Sequence, residues 1–111
     1  MTIDDLAAYG ANVDEGLARC VGNVDFYLML VGTVVDAKEF AELSAALEAG
    51  DLDAAFSAAH ALKGTLGNLA LTPLCEPMSE ITELLRARTD MDYSELMGRI
   101  TQALEGLRAI A

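Results

Sequence analysis

The chain lacks tryptophan altogether, and among its 111 residues it has one histidine, two cysteines, two prolines and seven basic side chains against eighteen acidic ones. Each scarcity excludes something. A single histidine, His60, with Cys20 and Cys75 far apart and no CxxC pair, cannot make a tetrahedral zinc site, and no haem-attachment motif is present. The flanks Arg19-Cys20-Val21 and Leu74-Cys75-Glu76 hold no concentrated positive charge to stabilise a thiolate, so both cysteines read as reduced core thiols. A net charge of −11 argues against a nucleic-acid partner or an anionic membrane surface. No apolar run reaches the ~20 residues of a membrane helix, and Met1-Thr2-Ile3-Asp4-Asp5 lacks the basic start of a signal peptide. These features predict a soluble, cytoplasmic protein.

What is abundant is alanine and leucine. Hydrophobic residues make up 53% of the chain and aromatics only 5%, a balance that favours helix over sheet. The length suits one domain able to bury a core without staples, and no repeat or linker interrupts it.

Turn signals divide the chain. Asn12 caps a short helix Val13–Val21 closed by Gly22, and Asn23 caps a segment Val24–Ala49 whose apolar phase shifts around Asp36-Ala37-Lys38, predicting two consecutive helices. Gly50-Asp51 ends that segment and caps Leu52–Gly67. After a turn over Asn68–Thr72, Thr72-Pro73 reads as an N-cap with Pro at the first helical position. Pro77 then either kinks that helix or marks its true first turn, and the helix continues to about Arg88. Asp92 opens a last helix through Leu96, Ile100, Leu104 and Leu107. Short connections between amphipathic helices predict an all-α, antiparallel up-down four-helix bundle with one or two extra N-terminal helices.

Within Leu52–Gly67, a wheel at 100° per residue centred on Ala59 gathers Leu52, Ala55, Leu62 and Leu66 within about 60°. His60 falls at about 100°, off that stripe, with Lys63 and Gly64 beside it one turn on. Neutral imidazole is a competent nucleophile near pH 7. Lys63 brings a mobile cation within reach of anionic oxygens, and Gly64, which disfavours the helix by roughly 0.5–1 kcal/mol, leaves the ring uncovered for an approaching protein. By reach, the exposed outer nitrogen, Nε2, is the one expected to meet an approaching group. Plainer roles stand beside these: a lone surface histidine, a lysine stem covering Leu62 and Leu66, glycines for close packing or helix termination. Arg86 and Arg88 read as complements to a helix dipole, with antiparallel geometry levelling His60 against residues 78–82. Met29, Met78, Met91 and Met97 read as core or partly exposed packing, adaptable for docking where they lie near His60.

The run His60-Ala61-Leu62-Lys63-Gly64-Thr65-Leu66-Gly67-Asn68-Leu69 resembles the central helix of histidine-containing phosphotransfer (HPt) domains. Similar residues flank it in that family: Asp14-Glu15-Gly16-Leu17-Ala18-Arg19, Gly22-Asn23, Phe26-Tyr27-Leu28, Leu47-Glu48-Ala49-Gly50-Asp51 and Leu74-Cys75. The resemblance covers nearly the whole chain, residues 1–111, as one domain. It implies that His60 accepts a phosphoryl group from one receiver-domain aspartate and donates it to another, with Lys63 neutralising phosphoryl oxygens and Gly64 allowing close docking. It further implies response-regulator receivers and a hybrid histidine kinase as partners, no cofactor in this chain, and Mg²⁺ supplied by the receiver. The family commonly carries Gly ten residues after the histidine, where this chain has Ala70.

Gly64-Thr65-Leu66-Gly67 lacks a nucleotide-binding pattern, so the expected protein is a monomeric carrier and no kinase. The rival readings are a non-catalytic receiver-binding adaptor and the phosphorylatable domain of a chemotaxis-type kinase. The start at Met1 and end at Ala111 favour the free-standing form.

Overall fold

The computed structural model describes all 111 residues, in seven helices and no strand. They are α1 (Ile3–Tyr9), α2 (Val13–Arg19), α3 (Val24–Val34), α4 (Lys38–Glu48), α5 (Leu52–Asn68), α6 (Thr72–Arg86) and α7 (Ser94–Ile110). Helix α4 packs on α5, α5 on α6 and α6 on α7, so the four long C-terminal helices form the up-down bundle with the three earlier ones docked on it.

The side chains at the helix starts do much of the segmentation. The side chains of Asn12, Asn23 and Asp51 accept the backbone N–H of Glu15, Phe26 and Ala54, satisfying donors the helix itself leaves open. Thr2 and Asp5 form a reciprocal capping box that opens α1. That helix was not placed by the sequence pattern, because seven residues are too few to establish a period.

Several boundaries differ from expectation. Helix α2 stops at Arg19, and Val21 takes a left-handed φ of 56° ahead of Gly22 at 72°. Thr72 does not cap α6 but is its first residue; the cap is Leu71, which is buried and makes no side-chain cap bond, leaving Pro73 second. Pro77 neither ends nor begins the helix, which runs on to Arg86; lying early in it, the ring forfeits only the bond to the carbonyl of Pro73. Asp92 accepts the Ser94 N–H at 2.9 Å, so it organises the last turn without being the residue next to α7.

The core holds Tyr27, Leu43, Ala59, Leu66, Leu74, Met78, Ile81, Ile100 and Leu107, all essentially fully buried. Tyr27 donates its hydroxyl to the Leu69 carbonyl at 2.8 Å, and it passes Gly16 so closely that a Cβ there would lie 2.5 Å from the Tyr27 hydroxyl oxygen. A glycine at position 16 is what lets α2 and α3 meet. Cys20 is buried and Cys75 half-buried; burial pushes the Cys75 thiol up, opposing thiolate formation.

Candidate functional site

Helix α5 buries Ala55, Ala58, Ala59, Leu62 and Leu66 and leaves His60 exposed, as its periodicity dictates. The imidazole is not isolated on that flank. Phe56, one turn earlier, stacks against it with ring centroids 5.4 Å apart and planes 20° from parallel. The guanidinium carbon of Arg86, at the end of α6, lies 5.0 Å from the Phe56 centroid, making a cation–π contact on the same aromatic.

Lys63 is paired across the helix interface: its Nζ lies 3.1 Å from Oε1 of Glu83, whose other oxygen, Oε2, accepts from Arg86 Nε at 3.2 Å. Hydrogen bonds from Lys63 and then Arg86 hold the Glu83 carboxyl below the usual glutamate range. Gly64 is exposed, and a Cβ on it would meet nothing within 4 Å. His60, Lys63 and Gly64 therefore share one open pocket of about 320 Å³, completed by Gly67, Asn68 and Arg19.

Arg19 comes from α2. Its guanidinium donates to the Gly67 carbonyl at the end of α5, and to Glu15 Oε1 at 2.6 Å. Nearby, the turn leaving α5 is tied down twice more, by Tyr27 at Leu69 and by the Asn12 N–H at the Ala70 carbonyl, 2.9 Å. Ala70 itself adopts φ 53°, a left-handed conformation that favours glycine.

The structure thus gathers the three residues singled out in the sequence and adds Arg19, Phe56, Glu83 and Arg86. Phe56 was legible as the residue four before His60. The reach of Arg86 was not: long helical side chains lean toward their own N-terminus, which carries Arg86 back along α6 toward His60 and away from the dipole role assigned to it. Arg88 pairs with Asp53. Of the methionines, Met78 is buried, whereas Met29 and Met91 are exposed, the latter in a separate cleft with Leu47 and Met97.

A helical bundle presenting a stacked, exposed imidazole beside a lysine and a glycine gap agrees with the comparison to protein families, in which the Hpt domain matches residues 37–110. The chain belongs to the histidine-containing phosphotransfer (Hpt) domain family. Hpt domains are phosphocarrier modules of two-component signalling and work with receiver domains and histidine kinases. No curated protein and no solved structure matches the chain. The Hpt match takes in all of α4 to α7 and omits α1 to α3, so Arg19 lies outside it. No single helix of this Hpt domain is long and apolar enough to cross a membrane.

Proposed function

We propose that this Hpt domain is a relay intermediate whose His60 takes a phosphoryl group from the aspartyl phosphate of one receiver and gives it to the aspartate of another. The observation that carries the reading is that the one histidine of the chain is exposed and stacked in a pocket it shares with Lys63 and Gly64. In the first transfer, a lone pair of the outer imidazole nitrogen, Nε2, forms the P–N bond as the acyl P–O bond breaks and the carboxylate leaves. The second transfer reverses the order. The phosphohistidine bond is reactive enough for both directions.

Each neighbour has a part. Phe56 limits rotation of the ring, Lys63 supplies charge to phosphoryl oxygens, and Gly64 keeps the approach open to a receiver's backbone. The acceptor aspartate and its Mg²⁺ belong to the receiver, and this chain supplies no cofactor. The domain acts as a monomeric carrier without ATP chemistry of its own, in the cytoplasm, between a hybrid histidine kinase and a response regulator, and touches neither nucleic acid nor membrane.

The test is incubation with a phosphorylated receiver, followed by assay of acid-labile phosphate. Wild type becomes labelled and His60→Gln does not. Equal labelling of the two overturns the assignment of His60, and receiver binding without any labelling makes the protein an adaptor.

A further inference from the structure

The pocket beside His60 is an electrostatic exception. The chain as a whole carries eighteen acidic and seven basic residues, yet the six residues lining this pocket include two cations, Arg19 and Lys63, and no carboxylate. Its remaining walls are Gly64, Gly67 and Asn68, and a Cβ at either glycine would meet nothing within 4 Å. The space is open, and it is bordered by groups that donate hydrogen bonds.

Of the two cations, Lys63 is engaged by Glu83, which draws it toward α6. Arg19 approaches from α2, held by the Gly67 carbonyl and by Glu15. A guanidinium has five N–H donors in a fixed plane, and these two bonds engage only NH1 and NH2, leaving donors to spare. Anchoring at Gly67 fixes the fork on the wall of the pocket that His60 also lines before any anion arrives, so little rotamer freedom remains to be lost on binding.

We infer that Arg19 is a second phosphoryl-binding residue of this site, supplied by a helix other than the one that carries His60, and that it donates to the oxygens of the phosphorylated imidazole. The inference rests on His60 being the phosphorylated residue. It assigns to α2 a chemical role, beyond covering the end of α5, and makes Glu15 a modulator that competes for the same guanidinium.

The probe is phosphoramidate, from which the imidazole takes the phosphoryl group as the P–N bond to ammonia breaks and a new P–N bond forms. A ³¹P titration of the phosphorylated whole chain then reads the last ionisation of the phosphoryl group. Arg19→Gln raises that midpoint by about 0.5 pH unit, a roughly threefold rise in proton affinity of the size an exposed ion pair gives. Arg19→Lys restores most of the shift. Glu15→Gln, which leaves the Arg19 contact to Gly67 in place, lowers the midpoint, and lowers it less when Arg19 is already Gln. Because the Gln variant also loses an anchor on α5, thermal unfolding is recorded alongside; if it does not fold, the Glu15→Gln shift and the Lys variant decide the matter. Midpoints that are the same in wild type, Arg19→Gln and Glu15→Gln overturn the role of Arg19 while leaving His60 in place. Failure of wild type to take label from both phosphoramidate and a phosphorylated receiver removes the reading of His60, and the Arg19 inference with it.

Discussion

The Lys63 ammonium lies 3.1 Å from Oε1 of Glu83, and the same carboxylate also binds Arg86. The cation closest in sequence to His60 is therefore already spoken for before phosphorylation, and a phosphoryl group gains it only in competition with Glu83. Glu83→Gln weakens that competition. The equilibrium of phosphoryl transfer onto His60 should shift toward the phosphorylated Hpt domain by about two- to fivefold, the range typical of exposed ion pairs, as measured by the ratio of labelled domain to labelled receiver.

The same pair predicts a pH dependence. Glu83 has its folded pKa depressed, first by Lys63 and then by Arg86, so its pairing stabilises the fold above the ordinary glutamate range, near pH 4.5, and is lost as the pH falls through the lower folded value. Carboxyl NMR should show the Glu83 midpoint below that of an exposed glutamate, and Lys63→Met should bring it back up. An unchanged midpoint in Lys63→Met would show that Lys63 does not hold the carboxylate.

Gly64 separates stability from transfer. Its neighbourhood is empty, so Gly64→Ala should raise stability by roughly 0.5–1 kcal/mol through helix propensity alone. Gly64→Gln should keep the fold and the labelling by phosphoramidate yet slow exchange with receivers by more than about tenfold, because the added side chain stands where a partner's backbone must come. Chemical denaturation and single-turnover transfer measure the two effects, and equal transfer rates for Gln and Gly would refute the docking role.

Gly16 behaves oppositely. A methyl there would lie 2.6 Å from the Tyr27 ring and 2.5 Å from its hydroxyl oxygen, both enclosed by backbone and core. Gly16→Ala should cost about 1–3 kcal/mol and weaken the Tyr27 hydrogen bond to Leu69, whereas Gly32→Ala, with nothing within 4 Å, should stabilise. A comparison of unfolding midpoints distinguishes them.

Val21 is 94% exposed and holds a left-handed φ of 56°, a conformation that β-branched residues avoid. Val21→Gly sacrifices no buried surface and should stabilise by about 0.5–1 kcal/mol once the greater entropy of the unfolded glycine chain is subtracted from the relief of about 1–2 kcal/mol. Ala70→Gly should come out near neutral, because its methyl is buried and its loss offsets the relief. Thermal melts of the two variants give the contrast.

Much of the bundle could be read from the chain because its boundaries are set by local chemistry: Asn12, Asn23 and Asp51 each cap the helix they were expected to cap. The flank occupied by His60 likewise follows from helical spacing within one element. What escaped the sequence depends on how elements meet. Glu83 and Arg86 reach Lys63 and Phe56 through the lean of long side chains between antiparallel helices, a geometry that spacing along one helix does not encode. Arg19 was visible only as part of a flanking resemblance, since nothing local ties a residue on α2 to a carbonyl forty-eight positions later. Leu71 as the cap of α6 breaks the usual preference for a polar side chain because burial in the core governs that position instead.

Three donors from the first third of the chain, the Asn12 amide, the Arg19 guanidinium and the Tyr27 hydroxyl, end on the carbonyls of Ala70, Gly67 and Leu69. In kinetic terms these bonds should make the N-terminal helices and the turn beside the His60 pocket open together. The Asn12 amide should reach solvent as the turn after α5 lets go, so its hydrogen-exchange rate should serve as a clock for the loosening of the surface on which we propose the phosphoryl group is carried.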